Sequence, residues 1–360
     1  MKTETAKVLP RLRRSLCATI ASLTLLCGTH LASAWRTVDA INAFNAYNNA
    51  MYFVLNGNQG YYRVAQGSGS VDSFWHFAEE IEMVRDATML TNNPTYKNMI
   101  TQLCTGFTTH NGTDWSNNKF NDDLMWGAIA FCRAYNSTGN SSYLTIAENN
   151  FNTAYNRGWD SVSGGMWQST DKISKNACVN YPAAIAGYCI SSAGGGSSYL
   201  TKAQNTYNWA QANLYNATTG KVSDSTISGT SFSYNQGTCI GAAYFLGDFN
   251  TCAMSATYTM NNLGTIVGSY RILPEYGTGG DGGGFNGIFL RWTMRFVTGR
   301  SVQATYQPWL QANVTQAWSL RRTSDELSWC QWLHQTPSGN LYAWDCTSTV
   351  VGMLTVPATQ

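Results

Sequence analysis

The chain has 360 residues, of which 44% are hydrophobic, 13% aromatic and only 12% charged, with a formal net charge of +2. That near-neutral balance offers no electrostatic footprint for nucleic acid or an anionic membrane, and the length supports a large buried core. The histidines beyond residue 34, His76, His110 and His334, do not stand at metal-ligand spacing with one another or with cysteine, which argues against zinc.

The first element reads as an export leader. Lys2, Lys7, Arg11, Arg13 and Arg14 form a basic head, Leu16 to Leu31 is mostly apolar, and Ala32-Ser33-Ala34 offers a cleavage site before Trp35. Cleavage there removes five basic residues and one acid, changing the net charge from +2 to −2. It also leaves eight cysteines (104, 132, 178, 189, 239, 252, 330 and 346), an even number in an oxidising setting, so four disulfides are expected. Cys178 and Cys189 are excluded as partners if one helix carries both, because eleven residues of helix span about 16 Å. Sequons at Asn111, Asn136, Asn140, Asn216 and Asn313 agree with secretion, and the C-terminus lacks the hydrophobic tail of a lipid-anchor signal.

Residues 35–360 read as one all-α domain. Three- and four-residue apolar spacing predicts helices over 38–55, 72–91, 95–106, 121–136, 141–157, 176–193, 197–214, 235–248, 250–267, 284–300, 303–320 and 341–354. Every second helix is approached by a Gly-, Ser- or Asn-rich segment, such as Asn56-Gly57, Asn111-Gly112, Gly164-Gly165, Ser228-Gly229 and Gly279–Gly284, whereas the alternate links are short. About twelve helices in six hairpins with the long loops on one side describe an (α/α)6 barrel whose inner helices start at the long-loop face.

On that scheme the helix over 121–136 begins with two adjacent carboxylates, Asp122 and Asp123, ahead of the apolar series Leu124, Met125, Ala128, Ile129 and Cys132. Asn121 reads as an N-cap, and acids in a first turn complement the helix dipole whatever else they do. The surroundings add a second meaning. Inner-helix starts also carry Trp75, Trp126, the group Lys175, Asn176 and Asn180, the group Tyr234, Asn235 and Gln236, and Phe285 with Asn286. Trp115, Trp167 and Asp281 stand in the loops that lead into them. Aromatic faces pack on the C–H faces of sugars while amides and carboxylates bond hydroxyls, so the mouth has the composition of a carbohydrate cleft.

Four motifs stand in order along the chain: Phe120-Asn121-Asp122-Asp123-Leu124-Met125-Trp126, Gly164-Gly165-Met166-Trp167 with Lys175-Asn176-Ala177-Cys178-Val179-Asn180, Tyr234-Asn235-Gln236-Gly237, and Phe285-Asn286-Gly287 through Trp292. Together they resemble the motifs of glycoside hydrolase family 76, the endo-α-1,6-mannanases and related fungal wall enzymes. The resemblance implies an (α/α)6 fold and a retaining mechanism with Asp122 as nucleophile and Asp123 as acid/base. It further implies a monomer that cleaves α-mannan without metal or cofactor. A retaining glycosidase needs its two carboxyl groups about 5–5.5 Å apart, which neighbouring residues can meet, and the acid needs a raised pKa that an apolar wall of Trp115 and Trp126 would supply.

Competing patterns are weaker. Gly277-Thr278-Gly279-Gly280-Asp281-Gly282 formally matches a dinucleotide fingerprint but lacks the strand and helix alternation and the later acid. Glu79-Glu80 lies mid-helix and reads as a solvated face, and Asp325-Glu326 as a loop beside Arg321-Arg322. A transglycosylase of the same family would use the same two acids, and a carbohydrate-binding protein would need neither.

Overall fold

Twelve α-helices form among residues 35–359, the part that the computed structural model describes; the candidate leader over 1–34 lies outside it. The even-numbered helices are α2 (Phe74–Thr91), α4 (Asn121–Thr138), α6 (Ala177–Ile190), α8 (Ser233–Leu246), α10 (Phe285–Gly299) and α12 (Ala343–Thr355). Each packs on the next and α12 packs back on α2, closing an inner ring. Outside it lie α1 (Thr37–Met51), α3 (Pro94–Asn111), α5 (Ser141–Gly158), α7 (Ser197–Asn213), α9 (Phe249–Asn262) and α11 (Gln303–Ser319). This is an (α/α)6 barrel. Five of its pairs are hairpins of consecutive helices, and the sixth joins α1 to α12 from opposite ends of the sequence.

Burial separates the two rings. All of α6 except Tyr188 is buried, whereas α7 buries only Tyr199, Ala203, Thr206, Tyr207 and Ala210, the stripe of an amphipathic outer helix. Inner helices must approach closely, and glycine permits it: a Cβ on Gly237 of α8 would lie 2.6 Å from the Cα of Phe289 on α10. The links at the inner-helix C-termini are short, as at 92–93, 139–140 and 247–248, while those at the N-termini run over 159–176, 214–232 and 263–284. Single antiparallel bridges tie neighbouring long loops together, Phe120 with Ser169, Asn176 with Ser225 and Ala65 with Tyr342, so the mouth is laced rather than loose.

Two expected helices end early. Tyr52–Leu55 (β1) leaves α1 and pairs antiparallel with Gln59–Tyr62 (β2), turning at Asn56 and Gly57, whose φ values are 50° and 79°. Likewise α9 stops at Asn262, and Thr265–Val267 (β3) pairs with Tyr270–Ile272 (β4). In both, β-branched and aromatic side chains beside a glycine turn outweigh the helical spacing.

Three further expectations are corrected. Glu79 and Glu80 are buried, not solvated: the middle of α2 is enclosed on all sides, and Glu79 pairs with Arg291 while Glu80 accepts from the Tyr47 hydroxyl at 2.7 Å. Among the described residues no disulfide forms: the eight cysteines from Cys104 to Cys346 are free and buried, filling the core as small apolar groups. Asn313 is no glycan acceptor in the folded chain, since it is fully buried and its side chain accepts from Leu273 N at 2.7 Å.

Candidate active site

At the N-terminal ends of the inner helices lies a cavity of about 320 Å³ whose lining includes Asp122 and Asp123, with Trp75, Trp126, Tyr234 and Phe285 as its aromatic walls. Phe120 caps α4, so the acids fall in its first turn, where amide dipoles favour carboxylates. Asn121 does not cap. It is buried, donating to Trp167 O at 2.8 Å and accepting from Arg157 Nε at 2.7 Å, and so pins the start of α4 to the loop over 159–176.

The two carboxylates differ in surroundings. Asp122 accepts through Oδ2 from Gln168 Nε2 at 3.1 Å and from the Cys178 thiol at 3.2 Å, while its Oδ1 is buried without a hydrogen-bond partner. Asp123 accepts from Asn118 Nδ2 at 2.7 Å. Neither forms an ion pair among the described residues. Burial raises the Asp122 pKa against the pull of Gln168, Cys178 and the helix amides, and burial together with the charge of Asp122 pushes Asp123 up to about 7. Asp123 is thereby suited to carry a proton near neutrality, and a cation approaching Asp122 would find a carboxylate that the protein has left uncompensated.

The walls are ordered by aromatic contacts. Tyr234 stacks on Phe285 with centroids 4.0 Å apart, and Trp75 leans on Trp126 at 5.9 Å and edge-on against Trp344 at 4.7 Å. Asp281 stands at the rim, its carboxylate accepting from Trp75 Nε1 at 3.2 Å. His76 stacks on Trp344 and bridges the buried Asp72, 2.9 Å away, to Asp281. Burial disfavours the imidazolium, but the nearby carboxylates of Asp281 and Asp72 outweigh it, so the His76 pKa is raised. The glycine run before α10 has a packing cause: Asp345 accepts from Gly279 N at 2.9 Å, and a Cβ on Gly284 would fall 2.0 Å from the Trp344 ring.

Several candidate ligands act instead behind the cleft. Trp115 is buried and is no part of the cavity wall; it packs against Phe74 and Phe131 in space that Gly127 leaves open. Lys175 bonds Asp160 at 2.7 Å and Ser163 at 2.6 Å and lies 4.6 Å from the Trp167 ring centre, clasping the loop before α6. Asn180 is fully buried and accepts from Met166 N at 2.8 Å, while Asn176, which precedes α6, accepts from Ser174 Oγ at 2.6 Å. Asn235 donates to Asp224 at 2.9 Å, Gln236 accepts from Val222 N at 2.7 Å, and Asn286 accepts from Ser233 Oγ at 2.7 Å and donates to Pro274 O at 2.9 Å. These polar groups consume themselves in holding loops. Sequence reasoning passed over Gln168, Asn118 and His76, and it took Cys178 for half of a disulfide. Cys178 was visible inside a quoted motif, but only the packing of α6 against α4 shows which atom it meets.

Among the described residues no group of three or more His, Cys, Asp or Glu side chains is placed to hold a metal ion, and no helix is long and apolar enough to cross a membrane. No curated relative matches the sequence. The fold is similar to that of the GH76A α-1,6-mannanase of Salegentibacter sp. HEL1_6, with 26% identity, a TM-score of 0.79, and 89% of this chain and 98% of that one covered. An inactive variant of that enzyme, with two adjacent aspartates replaced by asparagine and α-1,6-mannotriose bound, matches at 25% identity over the same shares with a TM-score of 0.79. The family 76 mannosidase Bt3792 of Bacteroides thetaiotaomicron, at 17% identity, shares the fold alone, with a TM-score of 0.71 over 88% of this chain and 96% of that one. The profile of Glycosyl hydrolase family 76 matches residues 40–355, nearly the whole of the barrel, and this chain therefore belongs to that family.

Proposed function

We propose that the chain is an exported, monomeric endo-α-1,6-mannanase that cleaves α-1,6-linked mannan with retention of anomeric configuration. The observation that carries this reading is the Asp122–Asp123 pair, two neighbouring carboxyls without a cationic partner on the floor of an aromatic-walled cleft. The mannotriose in the inactive Salegentibacter variant, and the adjacent aspartates whose replacement defines that variant, support both the substrate class and the roles.

In the first step Asp122 attacks the anomeric carbon as Asp123 gives its proton to the departing glycosidic oxygen, so one C–O bond forms while the other breaks. The positive charge that develops on the sugar faces the otherwise uncompensated Asp122, which favours the transition state over the neutral ground state. In the second step Asp123, now ionised, takes a proton from water as that water attacks the glycosyl ester, and Asp122 leaves. Trp75 and Trp126 on one wall and Tyr234 with Phe285 on the other supply flat faces for neighbouring sugars.

The test is to incubate the protein with linear α-1,6-mannan, follow product size, and record proton NMR before mutarotation. Mid-sized oligosaccharides bearing α reducing ends are expected. Release of mannose alone would remove the endo assignment, and β ends appearing first would remove the nucleophile from Asp122. Products longer than the substrate would show transfer to sugar in place of water.

A further inference from the structure

The opposite end of the barrel, where the inner helices finish, holds a second cavity of about 460 Å³ that the proposed reaction does not use. Its chemistry is cationic. Arg85, Arg133, Arg291 and Arg295 line it, with Asp86 as its single carboxylate. Two of these guanidinium groups are compensated: Arg133 pairs with Glu82, and Arg291 pairs with Glu79 and, at 2.6 Å, with Asp86. The other two form no ion pair among the described residues. Arg295 is exposed and lies over the rings of Phe245 and Tyr244, 4.8 and 5.7 Å from their centres. Arg85 is mostly enclosed, and its Nε is buried with no acceptor; the second terminal nitrogen of Arg291 is buried and unsatisfied as well.

A guanidinium withdrawn from water without an acceptor is costly, and such groups in native proteins are satisfied by a counter-charge. The negative ends of the inner-helix dipoles account for why cations gather here. They do not account for N–H groups left unbonded, since none of the nearby carbonyls accepts from Arg85. Arginine rather than lysine throughout also points to planar, forked recognition of an oxyanion.

We propose that this basal cavity is a binding site for a tetrahedral oxyanion, phosphate or sulfate, held by Arg85 and Arg295 against the fixed Arg291. Burial lowers the Arg85 pKa against the pull of Asp86, the neighbouring charge of Arg291 adds to the lowering, and an anion would oppose it. The site is separate from the cleft, since its lining shares no residue with the cavity around Asp122.

The experiment titrates the protein with sodium phosphate by calorimetry and by thermal melting, at constant ionic strength against chloride. Sulfate and glycerol 3-phosphate form parallel arms. Saturable one-site binding and a phosphate-dependent rise in Tm are expected, weakened by about tenfold or more in Arg295→Gln and in Arg85→Gln, the loss of one charge-assisted bidentate contact. Asp122→Asn should bind as the wild type does, which separates this site from the cleft. Because Arg295 is exposed, Arg295→Gln remains informative if Arg85→Gln fails to fold. Binding of glycerol 3-phosphate would assign the site to a phosphomonoester group, and its exclusion would assign it to the free ion. No saturable heat and no rise in Tm above chloride would overturn the proposal, as would wild-type affinity in Arg295→Gln.

Discussion

The two ends of the barrel are made from the same six helices and treat charge in opposite ways. At the mouth, where the helix dipoles point their positive ends, Asp122 and Asp123 are half-buried with only neutral donors, Gln168, Cys178 and Asn118. From the middle of the barrel to its base, away from the mouth, Glu79, Glu82 and Asp86 are each matched to arginine. The difference teaches where the fold spends stability. A carboxylate matched to a guanidinium holds helices together and has little left to offer a substrate, whereas one left uncompensated destabilises the fold and is available for chemistry.

Replacing the mouth acids should break that contrast most strongly. Asp122→Asn or Asp123→Asn is expected to lower turnover on α-1,6-mannan by several orders of magnitude. The same change should raise Tm at pH 8. Because the Asp123 pKa is raised from 3.8 to about 7, its contribution to stability is complete below about 3.8 and is lost as pH rises through about 7. The neutral amide of Asp123→Asn would remove that loss, so the gain in Tm at pH 8 should vanish near pH 4. An Asp122→Asn enzyme keeping more than about a tenth of wild-type turnover would take Asp122 out of the nucleophile role.

For the matched pairs deeper in the barrel the expectation inverts. Glu79→Ala leaves Arg291 buried with one partner fewer, and should cost about 3–5 kcal/mol in urea unfolding, with turnover retained while the protein is folded. A loss of activity without a loss of stability would show that the base is coupled to the mouth in a way the burial pattern does not provide.

The pH profile sharpens the comparison further. Turnover should fall on the alkaline side with an apparent pKa near 7, tenfold per unit, as Asp123 loses the proton it donates. Smaller still is the effect of Cys178→Ala, which removes one donor from Asp122 and should move the acidic limb upward, while Cys178→Ser, which keeps a donor, should restore it. A thiol count completes the set: with no disulfide formed, unfolding without reductant should expose eight reactive thiols in a chain beginning at Trp35.

The helix count, the alternation of long and short links and the first-turn position of the acids were all legible, because each rests on local spacing. Legibility failed where one pattern serves two environments. Tyr52–Leu55 and Thr265–Val267 continue a helical period yet pair as strands, since a nearby glycine turn lets each chain meet its own neighbour. Lys175, Asn180 and Asn286 have the composition of sugar ligands, but their partners are backbone and loop atoms brought up from the preceding connections.

The sequence by itself determined the ring of helices and the chemistry available at its mouth, because apolar period, turn residues and adjacent acids are properties of short segments. Tertiary structure alone decided which charges are matched and which are left uncompensated. Glu79 and Asp123 both stand beside a second acid on an inner helix, and one meets Arg291 from the far side of the chain while the other meets only Asn118. The electrostatic fate of a buried carboxylate is set by atoms a few ångströms away in space, and those come from segments that local pattern does not bring together.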